Sequence, residues 1–363
     1  IRERYIAETK TLRAFYMYAL YDWFGPVNVK LDPSTLMENT IMPRPSREEY
    51  VGYILRDLSD AIESDALPVK YNDDGGANWG RMSKSVAYAL LMRLHMHEKN
   101  WAAAKAAAGE IMTMGYSIID SYEDLFNIDR TAEHIWSIPA NTASDNYYLT
   151  EVLPGDFKRG HNHLGDSYIR GTDNSYLGGW QAYCMRWEFY DTFADSDRRK
   201  ATILCSYENN AGETKDRNSG MTGAIPVKFT DTQFANYGIQ KAHPVIRYAE
   251  VLLSYAEAVN ELSGPTPEAI AAVRQITDRA GTTIPADATA SADAFRAFLL
   301  AERGRELFAE GQRRQDLIRH GEFISRARAR GNNAKEHQVL FPLPQAVVTE
   351  AAGVILQNPG YPG

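Results

Sequence analysis

The run DNSYLGGWQAYCMRWEFYDTF, Asp173 to Phe193, carries seven aromatic side chains. Flat rings of this kind do one of two things: they fill a core, or they present an apolar face with a polar edge to something flat. Trp187, Tyr190 and Phe193 fall at i, i+3, i+6 of an expected helix, Met185 to Phe193, with Phe189 on its flank, and that spacing predicts burial. Tyr176, Trp180 and Tyr183 follow no helical or strand period. Gly178 and Gly179 precede Trp180, and an indole on a sharp glycine turn is hard to bury completely. An exposed indole or phenol matches the CH-rich face and hydroxyl rim of a pyranose. Asp173, Asn174 and Gln181 stand beside these rings as hydrogen-bonding partners for such a ligand.

KRGHNHLGDSYIRG, Lys158 to Gly171, offers Asn162, Tyr168 and Arg170 as contacts to sugar hydroxyls, against the plainer reading of loop solvation. His161, His163 and Asp166 do not reach the spacing of a zinc site, so no metal is expected. Trp79, in GGANWGRMSK, is a second candidate platform, set against packing at a helix entry; Trp23, in DWFGP, reads as packing. Asp195 with Asp197, or Asp73 with Asp74, suggest the acid and base of a glycosidase. That chemistry needs the carboxyls about 5 to 9 Å apart across the scissile bond, and neighbouring acids in turns are usually solvated. No phosphate-binding Walker loop or nucleophile elbow occurs, and no cofactor is expected. Glu302, Arg303, Glu306, Arg313 and Asp316, in RELFAEGQRRQDL, predict ion pairing between the last two helices.

The 363 residues can bury a substantial core, and a net charge of -8 disfavours any electrostatic grip on nucleic acid. Cys184 and Cys205 allow one disulfide or two free thiols and exclude a thiolate zinc cluster. No apolar run approaches the ~20 residues of a membrane span. The chain opens without Met and already in a helical pattern, so its natural N-terminus is expected upstream.

Four helix pairs must carry these residues. Ile6, Leu12, Phe15, Tyr16, Ala19 and Leu20 set the apolar period of a helix over Ile1 to Trp23, and a second helix follows over Tyr50 to Leu67. Ser83 to Glu98 and Trp101 to Met114 form the next pair, with Ala103, Ala104 and Ala107 small enough for close helix approach. Val251, Leu252, Tyr255, Ala256, Val259 and Leu262 line one face of the next helix, and SGPTPE turns into its partner. Ala294 to Phe308 and Arg313 to Arg330 make the last pair. Each pair occupies roughly the ~34 residues of a tetratricopeptide unit. Residues 116–243, rich in Gly, Asn, Asp, Tyr and Trp, read as a loop-rich insertion with a few short strands, and loops held on a rigid frame commonly bind ligands. The expected organisation is one integrated domain: pairs 1 and 2 over 1–115, the ligand-binding insertion over 116–243, pairs 3 and 4 over 244–330, and a C-terminal tail over 331–363 packing on the scaffold.

RYAEVLLSYAEAVNEL, LLAERGRELFAEGQRRQDLIRHGEF, VLFPLPQAVV and ILQNPGY follow one another in the C-terminal third. Together with LRAFYMYALYDWFGPV, GRMSKSVAYALLMRLHMHEKNW and DTFADSDRRKAT, their order and wording resemble the SusD/RagB family of outer-membrane nutrient-binding proteins across nearly the whole chain. The resemblance implies a mainly α fold, four tetratricopeptide-like helix pairs supporting a loop-rich binding region. It also implies a lipid-anchored protein on the cell surface, partner to a SusC-like TonB-dependent transporter, with an upstream segment that includes the lipidated cysteine and part of the ligand site. Arg314, Gln315 and His320 stand where the family usually has aromatics and a Trp, a departure in scaffold packing. Family contact residues follow no fixed motif, and the nutrient can also be a peptide or glycoprotein. The expected function is noncatalytic capture of oligosaccharide for the transporter. The alternatives are a glycoside hydrolase or lyase, and a repeat adaptor that binds peptide or protein.

Overall fold

The computed structural model describes residues 1–71, 76–140, 146–157, 179–229, 234–235 and 238–362. Helices occupy the stretches where good helix formers run without internal proline. In chain order they begin with α1 (Arg2–Phe24), α2 (Arg47–Glu63), α3 (Lys84–His97), α4 (Trp101–Met112) and the short α5 (Asp124–Asn127). The central excursion holds β1 (His134–Ile138), α6 (Tyr148–Val152), α7 (Trp187–Tyr190), β2 (Ile203–Leu204), β3 (Ser206–Glu208), β4 (Thr214–Asp216), β5 (Ile225–Pro226), β6 (Phe234–Ala235), β7 (Gly238–Ile239) and β8 (His243–Arg247). Then follow α8 (Tyr248–Ser263), α9 (Pro267–Ala280), α10 (Ala292–Glu306), α11 (Arg313–Arg319), α12 (Phe323–Ala329) and α13 (Gln345–Glu350). The fold is mainly helical, with few and short strands, as the sequence predicts. Among the described residues no helix is long and apolar enough to cross a membrane.

The chain divides into two compact units, one comprising 1–69, 82–104 and 314–363, the other 70–81 and 105–313. In the first, α1 packs on α2 and α3. α2 starts on a reciprocal cap: the Ser46 hydroxyl accepts from the Glu49 N–H while the Glu49 carboxylate accepts from the Ser46 N–H. The buried face of α1 is Ala7, Thr11, Ala14, Met17 and Tyr21, whereas Ile6, Leu12, Tyr16 and Leu20, which set the predicted period, are exposed. Small Ala7 and Ala14 allow close approach to the neighbouring helices, and that packing outweighs the larger residues' hydrophobicity. Trp23 is half exposed, its ring meeting Phe24 and Phe341 edge-on. The expected single helix to Arg330 is two, broken at Gly321 with φ 71.

In the second unit α8 is buried on almost every side, with α9, α10 and β8 packed around it. β8 pairs antiparallel with β1. A core of Tyr122, Phe126, Leu149, Val152, Leu153, Phe157, Phe193, Leu204, Phe229 and Phe308 fills the excursion, with Trp187, Phe189 and Tyr190 packed half-buried against it. The expected helix Met185 to Phe193 shrinks to the single turn α7, with Met185 instead in an antiparallel bridge to Ala224. Of its rings only Phe193 is fully enclosed; the Trp187 Nε1–H donates to the Met221 carbonyl at 3.2 Å.

Beside that core lies a fully buried ion network. Arg199 reaches Asp197 at 2.7 Å, Glu302 at 2.7 Å and Glu306 at 3.3 Å. Arg247 reaches Glu133 at 2.5 Å, Glu306 at 3.0 Å and Glu310 at 2.7 Å, while Arg279 pairs with Glu133 and Glu306. The Lys228 ammonium bonds Glu310 and lies over the rings of Phe308 at 4.0 Å, Phe126 at 4.7 Å and Tyr122 at 5.3 Å. Glu302 and Glu306 therefore do not tie the last two helices together as the sequence suggests: they turn inward to arginines of the excursion, β8 and α9, with Glu302 also held by Arg305 of its own helix at 2.7 Å. Arg313 instead donates to the Leu300 carbonyl at 2.6 Å, and Asp316 pairs with Arg319. Burial pushes the Glu306 carboxyl up, but Arg279, Arg247 and Arg199 outweigh it and hold it at about 2.

Candidate functional site

Each helix end leaves carbonyls without partners inside the helix. At the C-terminal end of α6 those of Thr150, Glu151, Leu153 and Pro154 are taken by one short strip of chain. Gly179 N–H donates to Pro154 at 3.1 Å, Trp180 to Thr150 at 2.8 Å, Gln181 to Leu153 at 3.1 Å and Ala182 to Glu151 at 2.7 Å. α6 is itself fixed through buried Leu149 and Val152 and through the Tyr148 hydroxyl, which donates to the Pro226 carbonyl at 2.9 Å. So close an approach has a steric requirement. A β-carbon at Gly179 would stand 2.0 Å from the Leu153 carbonyl oxygen, so only glycine fits.

This clamp holds Trp180 by its backbone and leaves its side chain 74% exposed. An indole this exposed leaves most of its apolar face in solvent. Gln181 follows with φ 47, a left-handed backbone rare for a residue other than Gly or Asn, and it too is exposed. Tyr183 is 50% exposed, and burial of its other half, with Glu151 nearby, raises its phenol above the usual value. Tyr147, 51% exposed, stands at the N-terminal end of α6. The sequence reading passed it over: in the doublet Tyr147–Tyr148 one ring is buried and the other outward, and only the placement of α6 tells them apart.

Of the other predicted contacts, Tyr176, Tyr168, Asn162 and Arg170 lie outside the described residues, as do Asp173, Asn174 and the His161, His163, Asp166 run. Trp180 and Tyr183 share one strip. Trp79 belongs elsewhere: half-buried beside β1, its ring centroid is 6.1 Å from that of His134. Asp197 is buried against Arg199, whereas Asp195 is exposed and pairs with Lys200 at 3.2 Å. Asp73 and Asp74 lie outside the described residues. Among the described residues no cluster of His, Cys, Asp and Glu could hold a metal, and both cysteines are free, Cys184 half-buried and Cys205 exposed.

Residues 202–361 match the model of the SusD family, SusD_RagB. Over that C-terminal stretch the chain is similar to the SusD family. It is 24% identical to SusD-like protein P25 of Formosa agariphila over 93% of this chain and 69% of that one. The fold matches the surface glycan-binding protein A from Bacteroides uniformis with a TM-score of 0.80 at 24% identity, covering 98% of this chain and 78% of that one. A laminarin-binding SusD-like protein matches with a TM-score of 0.75 at 25% identity, over 99% and 79%. The Trp180 strip lies in the central excursion of a fold similar to these glycan-binding proteins, N-terminal to the stretch that matches the family model.

Proposed function

We propose that this chain is a noncatalytic glycan-binding protein of the cell surface, in which Trp180 and Tyr183 stack on sugar rings and Gln181 hydrogen-bonds their hydroxyls. The observation that carries this reading is the exposed indole of Trp180 on a backbone clamped by four hydrogen bonds. A ring held this way loses little freedom on binding, so stacking energy goes into affinity. The names of the two structural relatives, a surface glycan-binding protein and a laminarin-binding one, point to the same ligand class. Tyr176, Tyr168, Asn162, Arg170 and Trp79 remain proposed contacts. The protein is proposed to sit on the outer face of the outer membrane through a lipid anchor outside these residues, and to deliver oligosaccharide to a SusC-like TonB-dependent transporter.

Hydrolysis is not part of the proposal. Asp197 has both carboxylate oxygens engaged by Arg199, so it has no free oxygen to act as acid or base beside Asp195. The test is affinity electrophoresis of the purified chain through gels containing individual neutral and acidic polysaccharides, with reducing ends assayed in parallel. Retardation by at least one glycan without release of reducing ends is expected. Uniform mobility across a broad panel, or turnover of a retained glycan, would refute the reading.

A further inference from the structure

A half-open cavity of about 300 Å³ lies in the first unit, between the C-terminal ends of α1 and α3, the helix α11, and Val339 and Leu340. Pro26, Ile318, Val339 and Leu340 make much of its wall apolar. Its lining carboxylate, Asp22, and the neighbouring Glu98 are already satisfied. Glu98 accepts from the Tyr21 hydroxyl at 2.8 Å and from Arg47 Nε at 2.9 Å, with His97 Nδ1 also at 2.9 Å; Asp22 accepts from Arg314 at 2.8 Å and from Gln315. Arg319, on the same wall, is held by Asp316 at 2.9 Å. Lys99 alone of the charged residues lining the cavity has no partner among the described residues.

The backbone at Lys99 supplies a second, independent observation. Its N–H closes α3 onto the Met96 carbonyl at 3.1 Å, the Asn100 N–H reaches His95 at 2.8 Å, and φ at Lys99 is 56. Helices that end in this left-handed turn usually place glycine there, because glycine has no β-carbon to clash. Here the position carries a long, exposed cationic side chain that lines the cavity instead.

We propose that this cavity binds a carboxylate borne on an apolar body, with the Lys99 ammonium as counter-ion and the Pro26, Ile318, Val339 and Leu340 wall receiving the body. A cationic ligand would meet carboxylates that are already occupied and an uncompensated Lys99; a neutral polar one would leave the apolar wall unused. One free ammonium suits a single negative charge. Such a group comes either from a free branched acid or from a peptide chain ending in an apolar residue. The site is independent of the Trp180 strip, so neither proposal depends on the other.

The test titrates the full chain with 4-methylpentanoate, N-acetyl-leucine and the amide of each, followed by ligand-observed NMR. At least one acid is expected to bind roughly tenfold or more tighter than its amide, as the loss of one charge-assisted contact implies. Preference for 4-methylpentanoate would assign a free acid, and preference for N-acetyl-leucine a chain end. Lys99→Gly should abolish the discrimination between acid and amide while leaving Tm equal or higher, because glycine relaxes the left-handed turn; Lys99→Arg should keep it. Equal binding of acid and amide, no binding of either acid at 10 mM, or discrimination that survives Lys99→Gly would each overturn the proposal.

Discussion

A β-carbon at position 179 would meet the Leu153 carbonyl oxygen at 2.0 Å and that of Thr150 at 2.6 Å, both backbone atoms that cannot swing away. Gly179→Ala must therefore open the strip that holds Trp180. We expect it to weaken glycan binding without touching a ligand-facing side chain, and to lower stability by about 1 to 3 kcal/mol, the usual scale of an overpacked site. Calorimetric titration beside a thermal melt checks both; unchanged affinity would mean that the clamp does not set the ring's position. At this scale the sequence was partly legible. The glycine pair and the lack of any period around Trp180 marked an indole that secondary structure would not bury. Nothing in the string marked Tyr147, because its exposure depends on which way α6 lies over its core. The left-handed backbone of Gln181 was equally hidden, since glutamine carries no turn signal of its own.

The long helices were readable because good helix formers run without internal proline and several breaks are glycines and prolines, as at Thr266 and Pro267, where a capped start follows the turn. Which face each helix buries was less so. α1 carries apolar residues nearly all round, and the structure buries the alanine side because small residues let neighbouring helices come close. The charges of α10 misled in another way: their spacing is that of surface pairs, yet Glu302 and Glu306 are buried, and beside the local Glu302–Arg305 pair they meet arginines distant in sequence. Pairing over such separations leaves no local pattern. Arg199 joins the excursion to α10, so Arg199→Met would leave buried carboxylates short of their counter-charge. A loss of about 3 to 5 kcal/mol is expected, the usual cost of breaking a buried pair from one side. Chemical denaturation measures it, and a loss below 1 kcal/mol would show that the network is solvated in solution.

For the whole molecule, the ion network ties stability to pH. Glu306 is held at about 2 against a usual 4.5, and Glu310 is lowered too, since burial raises it less than Arg247 and Lys228 lower it. Carboxyls depressed in the folded state stabilise it above their unfolded value and lose that contribution as pH falls through the folded value. Glu133 acts in the opposite sense, because burial holds it above 4.5 despite Arg279 and Arg247. The two depressed groups outnumber it, so Tm should drop steadily between about pH 4.5 and pH 2, and Glu306→Gln should flatten that fall. A Tm independent of pH across this window would contradict the account. The resemblance was legible in the sequence largely because many of its phrases sit in the helices, where packing constrains residue type. The ligand was not, because it meets a strip whose geometry is set by main-chain hydrogen bonds. The central claim is that Trp180 is the stacking platform, and calorimetric titration of Trp180→Ala against a glycan that retards the parent tests it most directly. Affinity lower by about 1 to 3 kcal/mol with Tm unchanged is the predicted result; affinity equal to the parent's would contradict it.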